Sequence, residues 1–432
     1  MITTVGFIML LVIVALLLSG KVSLPPIFII VPIIACLICG FSLTEIGGFI
    51  QSGLSATLNT AVLFAFALTY FCCLNEIGIF DVIVAKVLRL LGNRIESVMW
   101  ITIFVAILSH LDGAGATTML VTIPMMLPLY EKMKIRKEAL IMISGMAAGA
   151  MNMLPWCAAI LRLAQAIEVE VFTMWKYCLP LQIAGIVATI LVVFPVAAME
   201  RKHGAGLTDE EFAELKASTL GSINVTVSKP IFWFDIILTV ILLAVMLAGL
   251  MSAAMAFMMA TSIMLVVNYR TTKEQVAQIK KYGGNSLFMI AIIFAIGVMT
   301  GVLKGTGMMT GMVNAILTIV PESLGSHLAF VVGLVAVPLS ICLGSDSMYM
   351  AFAPLLTNVG IPFGIPVMGM GAGILFGACY SAQLCLVGPT PYLALGLANV
   401  EMRDSLKYSF PWVWAVGIIV VLIGGVLGVI PL

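Results

Sequence analysis

Charge is what this sequence has least of. Of its 432 residues only 9% are Asp, Glu, Lys or Arg, 21 basic against 20 acidic, and histidine occurs three times. Soluble domains carry about a quarter of their residues as charges. No soluble core absorbs a chain that is 62% hydrophobic with a mean hydropathy of +1.19, so a soluble fold is excluded and a polytopic membrane protein is expected. There is no basic patch, which removes nucleic acid as a partner. There are no period-2 strands, which argues against an outer-membrane barrel. No His-Glu-x-x-His occurs, and the one Gly-Lys pair, Gly20-Lys21, is followed by Val22. Zinc proteolysis and ATP-driven transport by this chain alone are therefore unsupported. A membrane-embedded enzyme lacks a nucleophile–base pair or metal cluster at depth. The run Val5–Leu18 has no basic residue before it and no small-residue cleavage site after it, so it reads as a first span and not a signal peptide. The nine cysteines, among them Cys36, Cys39, Cys72, Cys73 and Cys157, fall nearly all within apolar runs and read as soft hydrophobes, not metal ligands or disulfides.

Apolar runs, by contrast, are plentiful. Run length and flanking charge predict ten spans, near 3–20, 24–41, 58–79, 137–163, 176–198, 231–249, 251–268, 284–304, 361–384 and 408–431. Two more regions, 95–129 and 322–358, are too long for one span and are broken by Gly and polar residues. Each predicts a re-entrant hairpin, since irregular backbone at that depth survives only when buried in protein or lining a cavity. Alternating the spans, with each hairpin returning to its own side, gathers the basic clusters on one face. These are Lys21, Lys86/Arg89/Arg94, Lys132–Lys137, Arg201/Lys202 and Arg270–Lys281. That face is cytoplasmic by the positive-inside rule, which places both termini outside a plasma or inner membrane.

Five spans and one hairpin then make each half: residues 1–199, and 231–432 beyond a polar cytoplasmic linker at 200–230. An odd number of crossings per half inverts the second half relative to the first, so hairpin one opens to the cytoplasm and hairpin two outward. The fold class expected is an all-α inverted repeat, a transporter signature. Weak echoes agree, LNEIGIFDVIVAKVL (74–88) with LKGTGMMTGMVNAIL (303–317), and Ser109/Pro124 with Ser340/Pro354. TDEEFAEL (208–215) in the linker reads as a short helix capped by Thr208 and Glu211. Residues 80–93 and 306–320 read as interfacial amphipathic stretches.

The polar residues inside these apolar surroundings are the candidates for chemistry. Hairpin one carries LDGAGATT at its tip: Asp112, the turning residues Gly113 and Gly115, and the hydroxyls of Thr117 and Thr118. Freed amides at the restarting helix direct a positive end at the site, and intramembrane acids are functional by default. Hairpin two carries GSDSMY, with Ser345, Asp346 and Ser347 in the matching place. Asp112 and Asp346 are expected to couple protons or cations. The fourth span holds Asn152 and Pro155, which interrupt a helix and free a carbonyl. Arg162 follows, either as a bidentate partner for a carboxylate or as a snorkelling arginine at a span end. The ninth span ends in a second broken helix with Gln383, Gly388, Pro389, Thr390 and Pro391. His110 is a proton relay or a structural hydrogen-bonding residue. Glu76 and Lys304 read as interface anchors and the 29 methionines as apolar filler.

These motifs resemble the citrate–divalent metal:proton symporter family, within the ion transporter superfamily. The likeness runs over nearly the whole chain. It is most specific in SHLDGAGATTMLVTIPMMLPLY (109–130), GAMNMLPW (149–156) with Arg162 at the matching distance, SDSMYMAFAPLL (345–356) and FPWVWAVG (410–417). The resemblance implies an elevator-type inverted-repeat fold, usually dimeric, with a scaffold domain and a mobile transport domain. It also implies proton-coupled uptake of citrate, often as a metal complex. Two departures stand out. Ala114 replaces a second hairpin acid, and CAAI (157–160) replaces a Gly-Gly-Pro-Thr run.

The expectation is a secondary active transporter of citrate or a related carboxylate, working by alternating access and driven by H⁺, Na⁺ or another cation. Thr117, Thr118, Asn152, Arg162, Ser345, Ser347, Gln383 and Thr390 would line the substrate site. Gly113, Gly115, Pro155, Gly388 and Pro389 would supply hinges and helix breaks. No resident cofactor or bound metal is expected; a divalent metal would travel with the substrate. The alternative is a cation/proton antiporter with no organic substrate.

Overall fold

The computed structural model describes residues 1–19, 21–79, 82, 83, 86, 92–208, 212, 228–319, 321–386 and 389–432. Among them there is no β-strand. Seven helices are long and apolar enough to cross a membrane, and five shorter apolar helices accompany them. The capped helix expected at 208–215 and the interfacial stretch at 80–93 lie largely outside the described residues.

In chain order the first half contains α1 (Ile2–Ser19), α2 (Leu24–Ile38), α3 (Leu43–Ile77), the helical pair α4 (Ile95–Ser109) and α5 (Gly115–Lys132), the pair α6 (Lys137–Met151) and α7 (Ala158–Ala166), and α8 (Val171–Lys202). The second half contains α9 (Lys229–Leu247), α10 (Ala253–Asn268), α11 (Thr272–Gly305), the short α12 (Met308–Leu317), the pair α13 (Leu328–Leu343) and α14 (Ala353–Gly360), the pair α15 (Val367–Ser381) and α16 (Pro389–Ala398), and α17 (Met402–Val426). A π-helical turn, Met348–Phe352, leads into α14.

The two longest helices start well before the apolar runs that announce them. Spans were expected at 58–79 and 284–304, but the helices run over 35 and 34 residues from Leu43 and Thr272. Capping boxes explain the early starts. The Ser42 hydroxyl accepts from the Glu45 amide at 3.4 Å while Glu45 accepts from the Ser42 amide at 2.9 Å. Thr271 and Glu274 repeat this at 3.3 and 3.0 Å. Each box satisfies two amides that a helix start leaves orphaned. A hydropathy run cannot show this, because the first turns are polar.

α3 and α11 lie against each other along much of their length, and glycine sets the distance. A Cβ added at Gly53 would stand 1.9 Å from the Gly297 carbonyl oxygen, and one at Gly301 would stand 2.3 Å from that of Phe49. Without a hydrophobic drive between helices in lipid, such small-residue seams supply close van der Waals packing. α13 meets α15 the same way, with Gly377 against Ala336 and Gly373 against Gly333. At the end of α8 the buried Glu200 carboxylate accepts from the Arg136 backbone amide at 3.0 Å, its Nε at 2.8 Å and the Tyr408 hydroxyl at 2.8 Å. That network joins the α5–α6 turn, α8 and α17.

Candidate substrate and ion site

The helix breaks fall where the sequence places them. α4 ends in a 3₁₀ turn, His110–Asp112, and the chain reverses at Gly113 with φ 76°. That left-handed conformation is costly for a residue with a Cβ. α6 stops at Met151, turns through Asn152 and Pro155, and resumes at Ala158. α15 stops at Ser381, passes through the 3₁₀ turn Ala382–Leu384, and resumes at Pro389. The two prolines are not equivalent. Pro155 sits within the first break, whereas Pro389 is the first residue of α16, where its missing N–H costs nothing. Gly388 lies outside the described residues.

Hairpin one is held by a residue pair that the sequence left open. His110 is fully buried, with Nδ1 2.7 Å from the Thr118 hydroxyl and Nε2 2.9 Å from Asn152 Oδ1. A single imidazole thus ties the hairpin to the first break. These two contacts draw two expected site residues together. Asp112 is 4% exposed, and its Oδ1 accepts from the Ala114 amide at 2.9 Å. The Trp156 indole donates to the Leu111 carbonyl at 2.8 Å, and its ring stacks on Phe71 of α3 at 4.7 Å. Trp156 is therefore a positioning residue, and its place directly after Pro155 is the signal that marks it in the sequence.

The two broken helices cross at glycine. A Cβ at Gly149 would meet the Cys379 carbonyl oxygen at 2.8 Å, and one at Gly145 would meet Gln383 Cβ at 2.8 Å. A Cβ at Gly115 would meet Gln383 Nε2 at 3.1 Å and Thr390 Cγ2 at 3.4 Å. Residues from the second break therefore close over the tip of hairpin one. Gln383 is buried, and its Oε1 has no hydrogen-bond partner. Among the described residues that acceptor meets no donor.

Hairpin two brings the opposing charges. Gly344, with φ 85°, turns the chain into Ser345–Ser347. The Ser345 hydroxyl lies 3.1 Å from the Ser340 hydroxyl and donates to the Ala378 carbonyl at 3.1 Å. Ser347 is buried. Asp346 forms an ion pair with Arg162 of α7, which is 14% exposed at its side chain. Its guanidinium is thus covered and paired with an acid of the second half. Tyr349 donates to the Cys379 sulfur at 3.4 Å, and Cys157 lies against Gly113, so buried thiols sit between the two clusters. Glu76 pairs with Lys281 at 2.8 Å and accepts from the Tyr282 hydroxyl at 2.7 Å, while Lys304 pairs with Glu168. Glu76 lies at the end of α3 and Lys304 at the end of α11. Among the described residues no three His, Cys, Asp or Glu side chains gather as a metal-binding group.

Apolar helices long enough to cross a membrane, together with two interrupted helices that cross beside an Arg–Asp pair, are the architecture of a membrane transporter. A solved structure of Neisseria gonorrhoeae MtrF shares the fold, with a TM-score of 0.60 at 13% identity, covering 90% of this chain and 84% of that one. The chain belongs to the citrate transporter family, whose model matches residues 1–377. It is 30% identical to the "Citrate transporter" of Bacillus subtilis (strain 168), over all of both chains. It is 28% identical to the "Mg(2+)/citrate complex secondary transporter" of the same organism, over 100% of this chain and 99% of that one.

Proposed function

We propose that this chain imports citrate or a closely related carboxylate across the plasma or inner membrane, coupled to protons or another cation. A covered guanidinium from the first half meets a carboxylate of the second half beside two crossing broken helices. That observation carries the reading, because such a site offers a fixed positive group to an organic anion. Thr117, Thr118, Asn152, Arg162, Ser345, Ser347, Gln383 and Thr390 bind the substrate, and Asp112 and Asp346 handle the coupling ion. A divalent cation enters as part of the substrate, held mainly by the substrate's own carboxylates.

The same element order in both halves supports two repeats, 1–199 and 231–432, inverted about the membrane midplane. In this reading both termini are outside and residues 200–230 are the cytoplasmic linker. The hairpins and broken helices move as one body against a scaffold that includes α3 and α11, and the transporter works as a homodimer. Gly113, Gly115, Pro155, Gly388 and Pro389 provide the breaks and hinges.

The test is uptake of labelled citrate into proteoliposomes under an imposed pH gradient, with and without Mg²⁺. Uptake is expected in wild type and is lost in Asp112→Asn and Asp346→Asn variants that remain folded. Absence of uptake for every di- and tricarboxylate, in both gradient directions, would overturn the proposal. A Na⁺-driven pH change without carboxylate would point to a cation/proton antiporter instead.

A further inference from the structure

Arg162 is satisfied on one side only. Nη1 donates to Asp346, while Nη2 faces the thioether of Met289 at 3.4 Å, and Nε is buried with no hydrogen-bond partner among the described residues. Thioether sulfur is a weak acceptor. The Nε–Nη2 edge is the pair of parallel donors that grips a carboxylate bidentately, and here it is buried against sulfur. A covered guanidinium with an unsatisfied edge is costly, and an incoming acceptor would relieve that cost. Met289 belongs to α11, whose glycine seam fixes it to α3. Arg162 belongs to α7, the second piece of a broken helix.

We propose that the Nε–Nη2 edge of Arg162 is the receptor for a substrate carboxylate, and that Met289 is the plug that covers this edge when substrate is absent. The inference rests on the carboxylate-transport reading and assigns it a contact. Asp346 keeps its hold on Nη1 while the substrate takes the other edge. One guanidinium then carries two carboxylates, one from the protein and one from the ligand. The Met289 thioether must swing away, or α7 must slide along α11, before the ligand can engage. The plug therefore makes anion binding depend on a change at the α7–α11 contact.

Calorimetric titration of the detergent-solubilised full chain with citrate, with and without Mg²⁺, tests this. Met289→Ala removes the plug and should tighten citrate binding about fivefold, the factor that matches loss of one weak sulfur contact. Met289→Glu places a tethered carboxylate on the same edge and should abolish citrate binding while raising the melting temperature. Met289→Gln, of equal size but uncharged, should retain binding. If Met289→Glu binds citrate as wild type does, the edge is not the receptor and the inference fails, while carboxylate transport stands. If Met289→Ala leaves the affinity unchanged, Met289 is no plug and that part fails. If wild type binds no carboxylate under either condition, the transport reading itself falls, and the inference with it.

Discussion

His110 accounts for more of the site than its rarity suggests. Its two ring nitrogens contact residues eight and forty-two positions away, Thr118 and Asn152. Within a membrane protein such hydrogen bonds contribute about 0.6 kcal/mol each, with a ceiling near 1.7 kcal/mol. His110→Ala should therefore cost about 1–2 kcal/mol of stability. It should cost far more activity, because Thr118 and Asn152 lose their shared anchor. The expected result is a folded protein with a small drop in melting temperature and citrate uptake reduced at least tenfold. A mutant with near-wild-type uptake would show that the bridge is packing alone. Arg162 teaches a related lesson at the same scale. From sequence its guanidinium could equally be at the membrane surface or in the site; its partner, Asp346, is 184 residues away.

Among the elements, the α3–α11 seam has the narrowest tolerance. Gly53 faces a carbonyl oxygen 1.9 Å from where its Cβ would sit. Only separation of the two backbones accommodates a side chain there, and no flexible atom can yield. Overpacking of this kind costs about 1–3 kcal/mol or more. Gly53→Leu should lower the melting temperature and the yield of folded protein. The same separation shifts α11, which carries Met289, so any change in substrate affinity should appear only together with the loss of stability. Measuring KM beside thermal stability separates these effects, and a raised KM with unchanged stability would contradict the assignment. Gly113 is sensitive for a different reason. Its φ of 76° penalises any Cβ by about 1–2 kcal/mol, so Gly113→Val should disturb the hairpin turn and reduce uptake without affecting the α3–α11 packing.

For the molecule as a whole, the question is which parts move. Lys304 at the end of α11 pairs with Glu168 just beyond α7, and both side chains reach solvent. If the broken helices travel against α3 and α11, this contact opens and closes in each cycle. A cleavable bis-methanethiosulfonate cross-link between Glu168→Cys and Lys304→Cys, long enough to replace the two side chains, should then block uptake, and reduction should restore it. Uptake that persists with the cross-link complete would mean that α7 and α11 stay together. The Arg136–Glu200–Tyr408 network ties three elements through one buried carboxylate. Glu200→Ala should cost about 1–3 kcal/mol by leaving its donors without an acceptor, read as a lower melting temperature with substrate affinity preserved.

Composition alone settles that this chain lives in a membrane, because 62% hydrophobic residues with 9% charge leave no other solvent for its surface. Local pattern also places the turns at Gly113 and Gly344 and both helix breaks, since Gly and Pro act on the backbone where they stand. The true starts of α3 and α11 escape a hydropathy reading because capping is polar chemistry outside the apolar run. The pairings themselves belong to tertiary structure. Arg162 with Asp346, His110 with Asn152, Gly149 under Cys379 and Met289 over the guanidinium are contacts between distant segments. Each depends on how closely two helices approach, and that distance is set by glycines on other faces of the same bundle. A one-dimensional pattern records each residue's chemistry and period, while the partner it meets is decided only when the helices pack.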